Sequence, residues 1–93
     1  MSVQHLSIRR RLGFDHTARM LAAVLAGPDR PENDRPVRVL EAGIGQGSML
    51  SHLLSVDFGT EIEFYGFDIS DTTRAVELLA GTRPSEPWSE RIR

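Results

Sequence analysis

Three glycines at alternate positions, Gly43, Gly45 and Gly47, stand between a run patterned like a strand and a run spaced like a helix. Before them, residues 37–42 read VRVLEA, with Val37 and Val39 on one face and Arg38 and Leu40 on the other. Apolar residues on both faces suit the interior of a parallel sheet, which is covered on two sides. After them, Leu50, Leu53 and Leu54 share one face of a helix over 48–55, flanked by Met49. Glycines at such a joint remove side chains where a ligand must approach the backbone. Free amides at the start of the following helix favour negative or electron-rich groups. A ligand end is therefore expected at Gly43 to Ser48.

The rest of the chain extends this pattern. Residues 61–67, EIEFYGF, form a second strand in which Ile62 and Phe64 alternate with Glu61 and Glu63. Asp68 follows, and Ser70 or Asp71 can cap a third helix with the stripe Ala75, Leu78 and Leu79, closed by Gly81. Upstream, Asp15 is placed to cap a helix over 15–27 with the stripe Ala18, Leu21, Ala22 and Leu25, stopped by Gly27 and Pro28. Residues 1–14 are expected to form a basic arm around Arg9–Arg11, either a weak helix or a loose segment, and either solvated or a contact for an anionic partner. Residues 28–36, PDRPENDRP, form a linker with nothing to bury. Residues 82–93 read as a flexible tail, in which Trp88 either hangs loose or docks. The ligand-binding half-domain is thus expected at 37–81. Helix, strand, helix, strand, helix is an α/β order and predicts parallel strands joined by right-handed crossovers.

Composition excludes several chemistries. The 93 residues make at most one small domain. There is no cysteine, hence no disulfide framework, thiolate nucleophile or sulfur-ligated metal. All eleven basic residues are arginine, which excludes Schiff-base chemistry and the lysine of a phosphate-binding P-loop. A net charge of −2 supplies no clear nucleic-acid signal. His5, His16 and His52 share no metal-like spacing, and no metal is expected. Tyr65 reads as a sheet residue rather than a catalytic phenol. No segment has the pattern of a secretory signal or the length of a membrane span, so the default expectation is a cytoplasmic protein with no membrane partner.

Asp68 lies 25 residues after Gly43, near the ~20 that separate a glycine loop from its ribose-binding acid. In a parallel sheet both segments emerge at the same edge, and an aspartate there can accept hydrogen bonds from two ribose hydroxyls. The dinucleotide fingerprint G-x-G-x-x-G/A fails at its sixth position, Ser48. The segment VLEAGIGQG instead resembles the first motif, E/D-x-G-x-G-x-G, of class I S-adenosylmethionine-dependent methyltransferases, and FYGFDIS resembles their second. The resemblance covers roughly residues 15–80. It implies S-adenosyl-L-methionine as cofactor and a Rossmann-like fold. By the same resemblance Glu41 orients the loop and the methionine end, and Ala42, Gly43, Ile44, Gly45 and Gly47 bring the backbone to the cofactor. Asp68 holds the ribose, and Ile69 packs on the adenine.

Two strands are fewer than the seven of that family, so the fold expected is a partial one with an incomplete sheet. The first strand would keep one edge unpaired, open to a partner chain or to self-association. The chain is expected to act as the cofactor-binding front part of a methyltransferase, binding weakly and transferring no methyl group unaided. Neither a catalytic residue nor a methyl acceptor is assigned. Two other functions compete: a non-catalytic module pairing its open sheet edge, and a nicotinamide-dependent oxidoreductase fragment. The glycines also suit a tight turn with no ligand. Asp68 also suits a helix cap beside Ser70, although Asp71 can fill that role and leave Asp68 free.

Overall fold

The computed structural model describes the backbone of residues 3–28 and 36–93 and the side chains of residues 12–28 and 36–93. The chain divides into two compact units, Met1–Glu32 and Asn33–Arg93. Residues 29–35, most of the expected linker, lie outside the described residues.

Among its described residues the first unit holds one helix, α1 (Val3–Ala26). This corrects the expected start at Asp15, which lies inside the helix and is not its cap. Residues 3–12 hold no proline or glycine. The lone Gly13 costs only about 1 kcal/mol relative to alanine, too little to interrupt good helix formers on both sides. The Thr17 hydroxyl donates to the Gly13 carbonyl at 3.1 Å. At the far end the Gly27 amide reaches back to the Val24 carbonyl at 3.2 Å, and Pro28 cannot extend the ladder.

The second unit is a small α/β arrangement: β1 (Val37–Ala42), α2 (Ser48–Leu54), β2 (Ile62–Phe67), α3 (Thr73–Thr82) and α4 (Trp88–Arg91). The strands are parallel, with Val37 opposite Ile62 and Ala42 opposite Phe67. This register sets Val37, Val39 and Glu41 beside Ile62, Phe64 and Gly66 on one face, where burial is greatest. Leu50, Leu53 and Leu54 of α2 are buried, as are Ala75 and Leu79 of α3. Leu78 departs from its expected stripe and is 41% exposed. Gly81 is helical, and α3 ends instead before Pro84, where Arg83 is extended at φ −143°, ψ 84°.

The other sheet face carries Leu40 beside Tyr65 and Ala42 beside Phe67. Leu40 is 63% exposed, so the expectation of a strand buried on both faces holds for one face only. The outer edge of β1 has no strand partner among the described residues.

The expected flexible tail is corrected. Trp88 is 2% exposed and its Nε1 donates to the Arg83 carbonyl at 3.0 Å. Burying a tryptophan removes about 150–250 Å² from water, enough to hold a segment this short. Beyond it, Ile92 pairs in parallel with Gly66. The Arg93 amide bonds the Gly66 carbonyl at 3.0 Å, and the Asp68 amide bonds the Arg93 carbonyl at 3.1 Å. Arg91 pairs with Glu86 and, at 3.2 Å, with Glu63, and its guanidinium lies 5.6 Å from the Tyr65 ring centre. The chain end thus covers the edge of β2 that faces away from β1.

Candidate functional site

The loop between β1 and α2 is built on left-handed glycines, at φ 69° for Gly43, 55° for Gly45 and 85° for Gly47. A side chain would strain any of the three. They differ in what surrounds them. A Cβ on Gly47 would lie 3.3 Å from the Cα and Cβ of Ala75, so this glycine lets α2 approach α3. Nothing lies within 4 Å of a Cβ built on Gly43 or Gly45. Open space stands above those two.

The loop satisfies most of its own amides. Gly43 and Ile44 both donate to the Phe67 carbonyl, at 2.9 and 3.2 Å, and Gly47 donates to the Ile44 carbonyl at 2.9 Å. Gly45 donates to Oδ2 of Asp68 at 2.8 Å. The expected row of free amides is therefore corrected for these four residues. The helix that follows has only seven residues, too short for a strong terminal dipole. Ile44 offers no side chain to a ligand: that side chain is 4% exposed and packs into the core.

Asp68 ends β2 beside this loop. Its Oδ1 accepts the Ser70 amide at 2.9 Å and the Ser70 hydroxyl at 2.7 Å, while Oδ2 takes Gly45. The bonds from the Ser70 amide, the Ser70 hydroxyl and the Gly45 amide hold its carboxyl at about 2, below the ordinary 3.8. Asp68 is thus an anion that braces the glycine loop against the end of β2. Neither Ser70 nor Asp71 is the cap expected: the N-cap of α3 is Thr72, which makes no side-chain cap bond, and Asp71 lies one residue before it, its Oδ1 accepting the Thr73 hydroxyl at 2.6 Å and amide at 2.9 Å. Those bonds lower its carboxyl as well.

Glu41 makes no hydrogen bond to the loop among the described residues; the Phe67 carbonyl and Asp68 hold it. The Glu41 Oε2 is buried with no hydrogen-bond partner among the described residues. Burial pushes its carboxyl above the ordinary 4.5. Ala42 is exposed at the end of β1. Ile69, next to Asp68, is fully exposed, an apolar side chain with nothing covering it.

Gly43, Gly45, Asp68 and Ile69 therefore gather at the carboxyl edge of the parallel pair, with Glu41 one layer beneath. A separate cavity of about 330 Å³ lies at the opposite edge, between Leu53, Phe58, Ile62, Phe64 and Arg83. Its walls carry none of the expected site residues. Among the described residues no group of three side chains could hold a metal ion, and no helix is long and apolar enough to cross a membrane.

Sequence reading missed Gly66, the bonds of Ser70 to Asp68 and the partners of Arg91, and leaves Trp88 open between hanging loose and docking. Gly66 had a signal, since a lone glycine inside a strand marks close approach. Ser70 was seen only as a possible cap. Arg91 had none, because its partners Glu63 and Tyr65 lie more than twenty residues away. No family model, no curated protein and no solved structure matches this chain.

Proposed function

We propose that the second unit binds a nucleoside-containing cofactor, S-adenosyl-L-methionine, in the manner of the class I methyltransferases whose two motifs it resembles. The observation that carries this is the pairing of open space above Gly43 and Gly45 with an ionised Asp68 held 2.8 Å from the Gly45 amide. The fit has three parts. A bare main chain admits a flat or bulky group, a carboxylate at the same edge can accept sugar hydroxyls, and an exposed Ile69 offers an apolar surface to a base. The orphaned Oε2 of Glu41 supplies an acceptor for a cationic end. When bound, the cofactor supplies a methyl group on a sulfonium; the part of this chain is to hold and orient it. The partial Rossmann-like fold belongs to the same proposal, and no described residue is assigned to the transfer step.

The test is calorimetric titration with S-adenosylhomocysteine and with its 2′,3′-dideoxy analogue. The wild type should prefer the ribose form, and Asp68→Asn, which keeps a carbonyl to brace Gly45, should lose the preference. Equal binding of both ligands by the wild type would sink the ribose assignment.

One observation favours a second reading, a module that pairs its sheet with another chain. The outer edge of β1 is unpaired among the described residues, and Leu40 on that strand is 63% exposed. Cofactor-independent dimerisation in light scattering, abolished by Leu40→Pro, whose amide alternates with that of Val37 and so faces away from β2, would support it.

A further inference from the structure

Asp68 is nearly saturated before any ligand arrives. An ionised carboxylate offers about four acceptor positions, two on each oxygen. Oδ1 holds the amide and the hydroxyl of Ser70, and Oδ2 holds the amide of Gly45. A carboxylate that grips a vicinal diol takes one hydroxyl on each oxygen. Oδ2 has a position left for this. Oδ1 has none while the Ser70 hydroxyl is on it. The two amides can be withdrawn only by moving the backbone. Ser70 is exposed, and its hydroxyl leaves by rotation about one bond.

We propose that Ser70 is a positioning residue whose hydroxyl competes with the ligand for Oδ1 of Asp68, and so sets how tightly a diol-bearing ligand is held. The inference rests on the nucleoside reading above. Without ligand the hydroxyl keeps the carboxylate turned toward the loop. On binding it swings off, and the bond it gives up is subtracted from the affinity. That loss is about two- to ten-fold, the ~0.5–1.4 kcal/mol of an ordinary hydrogen bond. The same hydroxyl helps to hold the carboxyl near 2, which gives a readout independent of any ligand.

The experiment has two arms, each on wild type, Ser70→Ala and Ser70→Thr. In the first, the Asp68 carboxyl carbon is followed by NMR against pH without ligand. Its midpoint should rise in Ser70→Ala and stay in place in Ser70→Thr, which keeps the hydroxyl. An unmoved midpoint in Ser70→Ala overturns the inference whatever the ligand. In the second, S-adenosylhomocysteine is titrated calorimetrically. Ser70→Ala should bind about two- to ten-fold tighter and Ser70→Thr like the wild type. The gain should vanish with the 2′-deoxy analogue, whose one remaining hydroxyl fits on Oδ2. Equal or weaker binding by Ser70→Ala overturns the competition and leaves the nucleoside reading standing. A wild type that does not bind S-adenosylhomocysteine, or binds it no better than its 2′,3′-dideoxy analogue, overturns that reading and the competition with it.

Discussion

A methyl group of Ile44 occupies the place where a side chain on Gly66 would begin: a Cβ built there lies 2.5 Å from Ile44 Cγ2. The glycine loop is thereby seated on β2 by packing as well as by the two bonds to the Phe67 carbonyl. Gly66→Ala should destabilise the unit by about 1–3 kcal/mol, because a β-branched side chain cannot swing its Cγ2 aside. Adding Ile44→Ala should relieve the clash, so the double variant falls short of the sum of the single costs by about 1 kcal/mol or more. Urea denaturation measures all three; strict additivity would refute the contact.

The loop glycines should separate by role. Gly47→Ala meets both a left-handed backbone and Ala75 and should lower stability by about 1–3 kcal/mol in urea melts. Gly45→Ala meets only the backbone strain, about 1–2 kcal/mol, but puts a methyl group into the open space of the proposed site. It should reduce S-adenosylhomocysteine binding beyond what its stability loss explains. Full binding by a folded Gly45→Ala variant would argue against a ligand above the loop.

Asp68 should make stability depend on acid. Its folded value, about 2, lies below the ordinary 3.8, so its contribution is complete above about pH 4 and is lost as pH falls toward 2. The difference in unfolding midpoint between wild type and Asp68→Asn should shrink across that window. A difference constant from pH 5 to pH 2 would contradict the bonding described for the carboxylate.

Glu41 acts with the opposite sign. Its carboxyl is raised above 4.5 by burial, so the folded state holds its proton longer than the unfolded chain does. Stability is lost on this account as pH rises past that value. Glu41→Gln should flatten the slope and raise the urea midpoint at pH 7 relative to pH 4. A variant less stable at both pH values would show that the carboxylate has a partner after all.

Trp88→Ala should cost about 3–5 kcal/mol and release the chain end from β2. Hydrogen exchange at the Asp68 amide, bonded to the Arg93 carbonyl, should speed up ahead of the amides between β1 and β2. The milder Trp88→Phe keeps one aromatic ring, forgoes the bond to Arg83 and leaves part of the indole's buried volume empty, at about 1–3 kcal/mol in all. Unchanged exchange at Asp68 in a folded Trp88→Ala variant would show that the segment is held by Arg91 instead.

The sequence by itself determined whatever depends on neighbours in the chain. Period-two alternation marked β1 and β2, the leucines at 50, 53 and 54 marked the buried face of α2, and three glycines in five residues marked a turn with little side chain. Strand–helix alternation determined the parallel pairing, since a helical crossover returns the chain in the same direction. The spacing of Asp68 from Gly43 sufficed to bring the acid and the loop to one sheet edge. Only the tertiary structure decided what each group does there. Asp68 uses three acceptor positions on Gly45 and Ser70, and Oε2 of Glu41 is left without a partner among the described residues. Ile44 plugs the space above Gly66, and the segment carrying Trp88 folds back on β2. The reason is physical. Local periodicity reports which face of an element is apolar, whereas satisfaction of a polar atom and burial of an isolated tryptophan depend on groups brought close by the fold, about which spacing along the chain is silent.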